Sequence, residues 1–152
     1  MTPRQFFRKN VVLTVCLLSL SAGVFAKNYP ISDKLLTAFK QTFPDAKEVR
    51  WAEQGDKYTV NFKQGDILTK IEYDKEGEFL SSLRYYTEKN LPVSILCRLQ
   101  KKYSDKKIFG VTEMTTESTV EYYIKVEDAN NWYTIHSNAD GNMQIVEKFK
   151  KA

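Results

Sequence analysis

The stretch ISDKLLTAFKQTFPD, Ile31 to Asp45, has a counterpart sixty positions later in LPVSILCRLQKKYSD, Leu91 to Asp105. At that offset Ile31 matches Leu91, Leu35 matches Ile95, Leu36 matches Leu96, Phe39 matches Leu99 and Phe43 matches Tyr103. Leu35, Leu36, Phe39 and Phe43 form one apolar stripe at helical spacing, and the second stretch carries the same stripe. Ser32 suits an N-cap, with Ile31 and Leu36 placed to close a hydrophobic staple. Pro44 cannot extend the hydrogen-bond ladder and pushes Phe43 towards extended backbone, so the first helix stops there. Pro92 falls near the first turn of the second helix, where its missing amide does no harm. Two short amphipathic helices of this kind need a sheet to bury them, and their likeness suggests a duplicated unit.

The expected sheet follows each helix. Lys47 to Glu53, Lys57 to Lys63, Ile67 to Tyr73 and Glu78 to Tyr86 read as strands separated by short glycine-bearing loops. Gly110 to Thr115, Thr119 to Asp128, Trp132 to Ser137 and Asn142 to Phe149 read as four more, with Thr87 to Leu91 as the linker. The offset between halves grows from 60 in the helix to 64 at Tyr58 and Tyr122, and holds at 64 for Ile71 and Ile135 and for Gly77 and Gly141. The predicted fold is α+β. It is a tandem repeat of one helix plus a four-stranded antiparallel sheet, about 31–86 and 91–150. The units are expected to join as one larger sheet with both helices on one face.

The segment ahead of this fold reads differently. Arg4, Arg8 and Lys9 precede an apolar run from Val11 to Leu20, and Val24-Phe25-Ala26 forms an A-x-A-like site. That is the layout of a signal peptide, residues 1–26, cleaved between Ala26 and Lys27. The apolar run is shorter than the roughly 18 residues a spanning helix needs, so the mature chain is expected to be periplasmic or secreted, with no transmembrane segment. Of the 23 Lys and Arg, three lie in this segment, leaving 20 against 19 acidic residues. The mature charge is near neutral and alternates in sign, which argues against a nucleic-acid partner. Cys16 leaves with the signal, and Cys97 remains without an intrachain partner. It reads as a partly covered helix flank, or else as a thiol for an intermolecular disulfide.

FKQTFPDAKEVRW, YTVNF, IEYDKEGEFL, RYYTEKNLPVSI, YYIKVED and NADGNMQIVEKFK, in this order, resemble the PepSY-like, beta-lactamase-inhibitor-like exported proteins of bacteria. The likeness spans roughly Ser32 to Lys150. It implies a tandem helix-plus-four-strand architecture, export, and no established enzymatic activity. The second half departs from the pattern, with Glu113 where Trp51 would be matched and Ser104 where Pro44 would be. The likeness therefore brings architecture and no inhibitory residue.

No catalytic set emerges. His136 is the single histidine, and a zinc site has no second histidine or cysteine pair to complete it. The Asp74–Gly77 and Asn138–Gly141 segments lack the length and ligand spacing of a calcium loop and read as turns. There is no G-x-S-x-G and no phosphate-cradling glycine loop. No cofactor or metal is expected. The positive signal is aromatic: nine Tyr and two Trp exceed what two short helices can cover. If Tyr58, Val60, Tyr122, Ile124, Tyr133 and Ile135 lie under the helices, then Tyr86, Tyr123, Trp132 and His136 point to the opposite face. Leu68, Lys70, Glu72, Arg84 and Lys125 are expected among them. Tyr and Trp combine apolar area with a polar tip and suit recognition surfaces, though cross-strand stiffening would use them too. The reading is an exported, non-catalytic module that holds a protein or peptide on its open sheet face. The alternative is an envelope-associated accessory domain that self-associates, through that face or through Cys97. An enzyme using His136 and a nearby acid ranks third.

Overall fold

A computed structural model describes residues 31–152; the expected signal segment lies outside the described residues. The chain runs α1 (Asp33–Thr42), β1 (Lys47–Gln54), β2 (Lys57–Gln64), β3 (Ile67–Tyr73) and β4 (Phe79–Tyr86). A short 3₁₀ turn (Glu88–Asn90) leads to α2 (Val93–Lys102), β5 (Lys107–Thr116), β6 (Val120–Glu127), β7 (Asn131–Asn138) and β8 (Met143–Lys150). All eight strands form one antiparallel sheet in sequence order, β1 to β8. The class is α+β.

Each element forms for a local reason. Ser32 caps α1, its hydroxyl accepting from the Leu35 amide at 3.2 Å, and the helix ends at Phe43, one residue before Pro44. Pro92 stands just outside α2 and its carbonyl accepts from the Leu96 amide. The hairpins β3–β4 and β7–β8 share one turn chemistry. Asp74 Oδ1 accepts from the Glu78 amide at 2.8 Å, and Asn138 Oδ1 accepts from the Asn142 amide at 2.9 Å. Gly77 and Gly141 take φ of 88° and 81°, the left-handed region where a side chain is strained.

Residues opposite one another in register share a face, so the pairing fixes what each helix covers. Below α1, Phe39 meets Val60, Phe62 and Ile71, with Phe39 edge-on to Phe62 at 5.2 Å and to Trp51 at 5.3 Å. Below α2, Ile95 and Leu99 meet Val111, Tyr122, Ile124, Val126, Tyr133 and Ile135. The register row Phe62, Thr69, Arg84, Glu113 and Tyr122 joins the two clusters, so both helices lie on one face.

Between the clusters runs a polar seam. Arg84 donates to one Glu113 carboxylate oxygen at 2.9 Å, and the Tyr86 hydroxyl donates to the other at 2.5 Å. Glu113 is 8% exposed. Burial, reinforced by the hydrogen bond to Glu113, pushes the Tyr86 phenol well above its ordinary range.

This seam corrects two expectations. Tyr86 and Arg84 were expected on the open face, and both lie on the helix side, Tyr86 in the core at 5% exposure. Tyr86 pairs with Val111 and Arg84 with Glu113, which sets the parity of the whole strand. The expected partial cover of Cys97 is corrected as well, because that thiol is exposed.

The seam leads to a stability prediction. Glu113→Ala leaves the buried Tyr86 hydroxyl and the partly exposed Arg84 without their shared acceptor and should cost about 2 kcal/mol in urea unfolding. The double variant Glu113→Leu with Arg84→Met, which removes both charges, should recover part of that loss; no recovery would show that the pair is not the source.

A second prediction concerns the β6–β7 turn. Asp128 accepts from the Tyr133 hydroxyl at 2.6 Å and from the amides of Asn130 and Asn131. These bonds, the Tyr133 bond foremost, hold the Asp128 carboxyl well below the usual carboxylate range. A depressed carboxylate stabilises the fold above its unfolded pKa, about 3.9, and loses that contribution as the pH falls towards its folded value. The midpoint difference between wild type and Asp128→Asn should therefore be full at neutral pH and shrink below about pH 4. A pH-independent difference would refute the assignment.

The open face as a candidate binding surface

One register row crosses the open face from β2 to β8: Lys63, Leu68, Tyr85, Thr112, Tyr123, His136 and Gln144. Leu68 is 53% exposed and Tyr85 43%. Of the five predicted residues, Leu68, Tyr123 and His136 share this row. Trp132 shares the face four residues along β7 from His136, about 13 Å away at strand rise. Tyr86 does not belong, and its neighbour Tyr85 occupies the position intended for it. In the Tyr85-Tyr86 dipeptide, the two side chains necessarily point to opposite faces.

The right-hand half of the row is tied together by polar contacts. The Tyr123 and His136 rings are 5.1 Å apart. Tyr123 donates to Glu121 at 3.3 Å, and His136 Nε2 lies 3.6 Å from the same carboxylate. His136 Nε2 is buried with no hydrogen-bond partner. His136 thus stands near an acid, as the enzyme reading expects, but beyond hydrogen-bonding distance of it. Cys97, the thiol among the described residues, sits on α2 behind the sheet and cannot join it.

The left-hand half is basic. Arg50, Asn61, Lys63, Leu68, Lys70 and Tyr85 line a shallow depression of about 280 Å³ beside β1. Glu48 also lines it and takes a φ of 55°, uncommon outside glycine, at a bulge where β1 slips against β2. Lys70 donates to Glu72 at 2.7 Å, and that bond holds the Glu72 carboxyl below its ordinary range.

A third patch closes the face at the far end of β5, β7 and β8. Trp132 pairs with Phe149 in register and meets Phe109 edge-on at 5.1 Å. Phe109 is 66% exposed and Phe149 56%. Lys151 lies 4.9 Å over the Trp132 ring. Phe109 escaped the sequence reading because β5 was expected to begin at Gly110. It falls in a bulge between Ile108 and Gly110, a device that re-aims a side chain. Phe149 was read as a strand end only, and its alternation with Lys148 and Lys150 was the available signal. Between this patch and the central row lie Lys125, Thr134 and Glu147, with Lys125 3.0 Å from Glu147.

Comparison with known proteins reaches the fold. No protein-family profile and no curated sequence matches this chain. Several solved structures do. A BLIP-like protein from Bacteroides fragilis aligns with a TM-score of 0.58 and 17% identity, over 82% of this chain and 89% of its own. A DUF2874 family protein from Bacteroides uniformis aligns at 0.55 and 18%, over 78% and 88%. A Bacteroides eggerthii protein, described provisionally as periplasmic, aligns at 0.55 and 17%, over 78% and 88%. The likeness is one of fold. Among the described residues, no helix is long and apolar enough to cross a membrane.

The two adjacent tyrosines separate face from core in one measurement. Tyr85→Ala should change stability by no more than about 0.5 kcal/mol, whereas Tyr86→Ala should cost about 3 kcal/mol. Urea unfolding of the two variants reads both, and equal losses would contradict the register of β4.

Proposed function

We propose that this protein is an exported, non-catalytic module that holds a protein or peptide partner on the open face of its sheet. The observation that carries the reading is the register row with Leu68 and Tyr85 exposed, running on through the Tyr123–His136 pair, on the face away from both helices. Exposed aromatic and aliphatic groups flanked by Arg50, Lys63, Glu121 and Lys125 provide an apolar centre with a polar rim, as recognition surfaces do. The fold shared with a BLIP-like protein and with a protein described provisionally as periplasmic agrees with this reading. Export rests on the signal segment, cleaved after Ala26.

We also propose that the two halves, about 31–86 and 91–150, are copies of one helix-plus-four-strand unit. Leu35 and Ile95 are buried alike, as are Phe39 and Leu99. The bulges of β1 and β5, and the Asp74 and Asn138 turns, fall at matching places.

Self-association is the second reading. It is favoured by the exposed Ile145, Val146 and Phe149 of the edge strand β8, although Lys148 and Lys150 on the same strand oppose edge pairing.

The test is cross-linked capture from the exported fraction of the source cell, using the chain from Lys27. Tyr85→Ala with Tyr123→Ala should weaken capture of a defined partner about tenfold or more with a near-constant thermal midpoint. Retained capture would remove the open face from consideration. A mass that rises with protein concentration, equally with and without reductant, would favour self-association through the sheet instead.

A further inference from the structure

We infer that a second site lies on the other side of the sheet and takes a small amphipathic monocarboxylate. A cleft of about 460 Å³ opens beside the C-terminal end of α1, over β3, β4 and β5. Its volume falls within the range typical of small-molecule sites, about 300–1,000 Å³. Phe43, Ile71, Tyr73 and Phe79 make apolar walls. Ser82 and Thr115, opposite each other in register, bring two hydroxyls to the floor.

The cleft exists because the two helices cover separate clusters and leave the Arg84 end of the polar seam between them open. Arg84, whose side chain is 37% exposed, also lines it. One of its nitrogens donates to Glu113, and Tyr86 occupies the other Glu113 oxygen. A guanidinium carries five N–H donors in a planar fork, so Arg84 keeps donors for an acceptor within the cleft. That geometry suits a carboxylate, which accepts two parallel bonds.

The charge balance narrows the ligand further. An uncharged apolar occupant would desolvate the guanidinium without replacing its hydrogen bonds, which is costly. A dianion would face Glu113 across the same guanidinium and be repelled. A single negative charge on an apolar tail satisfies the fork, the hydroxyls and the walls together. This site is independent of the open-face reading, since the two lie on opposite sides of the sheet.

The test compares octanoate, octan-1-ol and octyl phosphate by isothermal titration calorimetry, with amide NMR shifts recorded alongside. Octanoate should bind the wild-type protein about tenfold or more tightly than either other probe, moving the amides of Tyr73, Phe79 and Ser82. Ser82→Trp, which fills the floor while leaving Arg84 and Glu113 in place, should abolish that binding. Arg84→Gln with Glu113→Gln keeps the seam uncharged and should reduce octanoate to the affinity of octan-1-ol. Equal affinity for octanoate and octan-1-ol, no binding at millimolar octanoate, or shifts confined to the open face would each overturn the assignment. The wild-type NMR map decides the matter even where a variant fails to fold.

Discussion

The pairing of β4 with β5 is the joint on which the molecule depends. Four strands lie on either side of it, and each helix covers a cluster on its own side. Six register pairs join the two strands, from Ser81 and Thr116 to Tyr86 and Val111. At its centre Arg84, Glu113 and Tyr86 form a three-membered polar contact on the helix face. A partly buried ion pair is weak evidence for net stability, because desolvation offsets much of the attraction. Its effect here is on geometry. A one-residue slip of β5 would send Glu113 to the open face, and one of β4 would put Tyr85 where Tyr86 is packed. The apolar clusters and the seam therefore enforce the same register, and that register sets the chemistry of both faces.

The two faces differ in how they treat polar groups. On the helix face the polar groups are concentrated in the seam, leaving fully buried side chains such as Val60, Ile124 and Ile135 on either side. On the open face charge is spread in short pairs among apolar groups: Lys70 with Glu72 and Lys125 with Glu147. Exposed pairs of this kind contribute little to stability. The Lys125–Glu147 pair, with Thr134, lies between the row of Leu68 and Tyr85 and the patch of Phe109, Trp132 and Phe149 and keeps the two apart. A surface built this way has area and a charge pattern to offer a partner without one continuous apolar expanse that would drive aggregation.

Solved structures that share only 17–18% of residues with this chain share its fold over most of their length. The requirements of the fold explain how that is compatible. Alternation in the strands, a helix stripe, a cap at Ser32, glycine at left-handed turns and four register shifts between strands leave the identity of the open-face residues almost free. That freedom is why the fold alone does not name a partner, and why Tyr123, His136 and Glu121 have to be argued from their own contacts.

The order of elements, the helix limits at Ser32 and Pro44 and the hairpin turns were legible in the residues, because each rests on local backbone chemistry. The placement of Leu68, Tyr123, Trp132 and His136 on the open face was legible too, since Ile71, Ile124 and Ile135 on the same strands fix which positions are covered. Tyr85 against Tyr86 was not. Both are tyrosines, and the strand around them, Leu83-Arg84-Tyr85-Tyr86, carries no alternation to break the tie. Phe109 was hidden by a bulge, which adds a residue without leaving a signature in composition. The cleft beside Arg84 was beyond reach for the same kind of reason. It exists only because α1 and α2 settle over separate parts of one sheet, and that spacing is a property of packing rather than of any one segment.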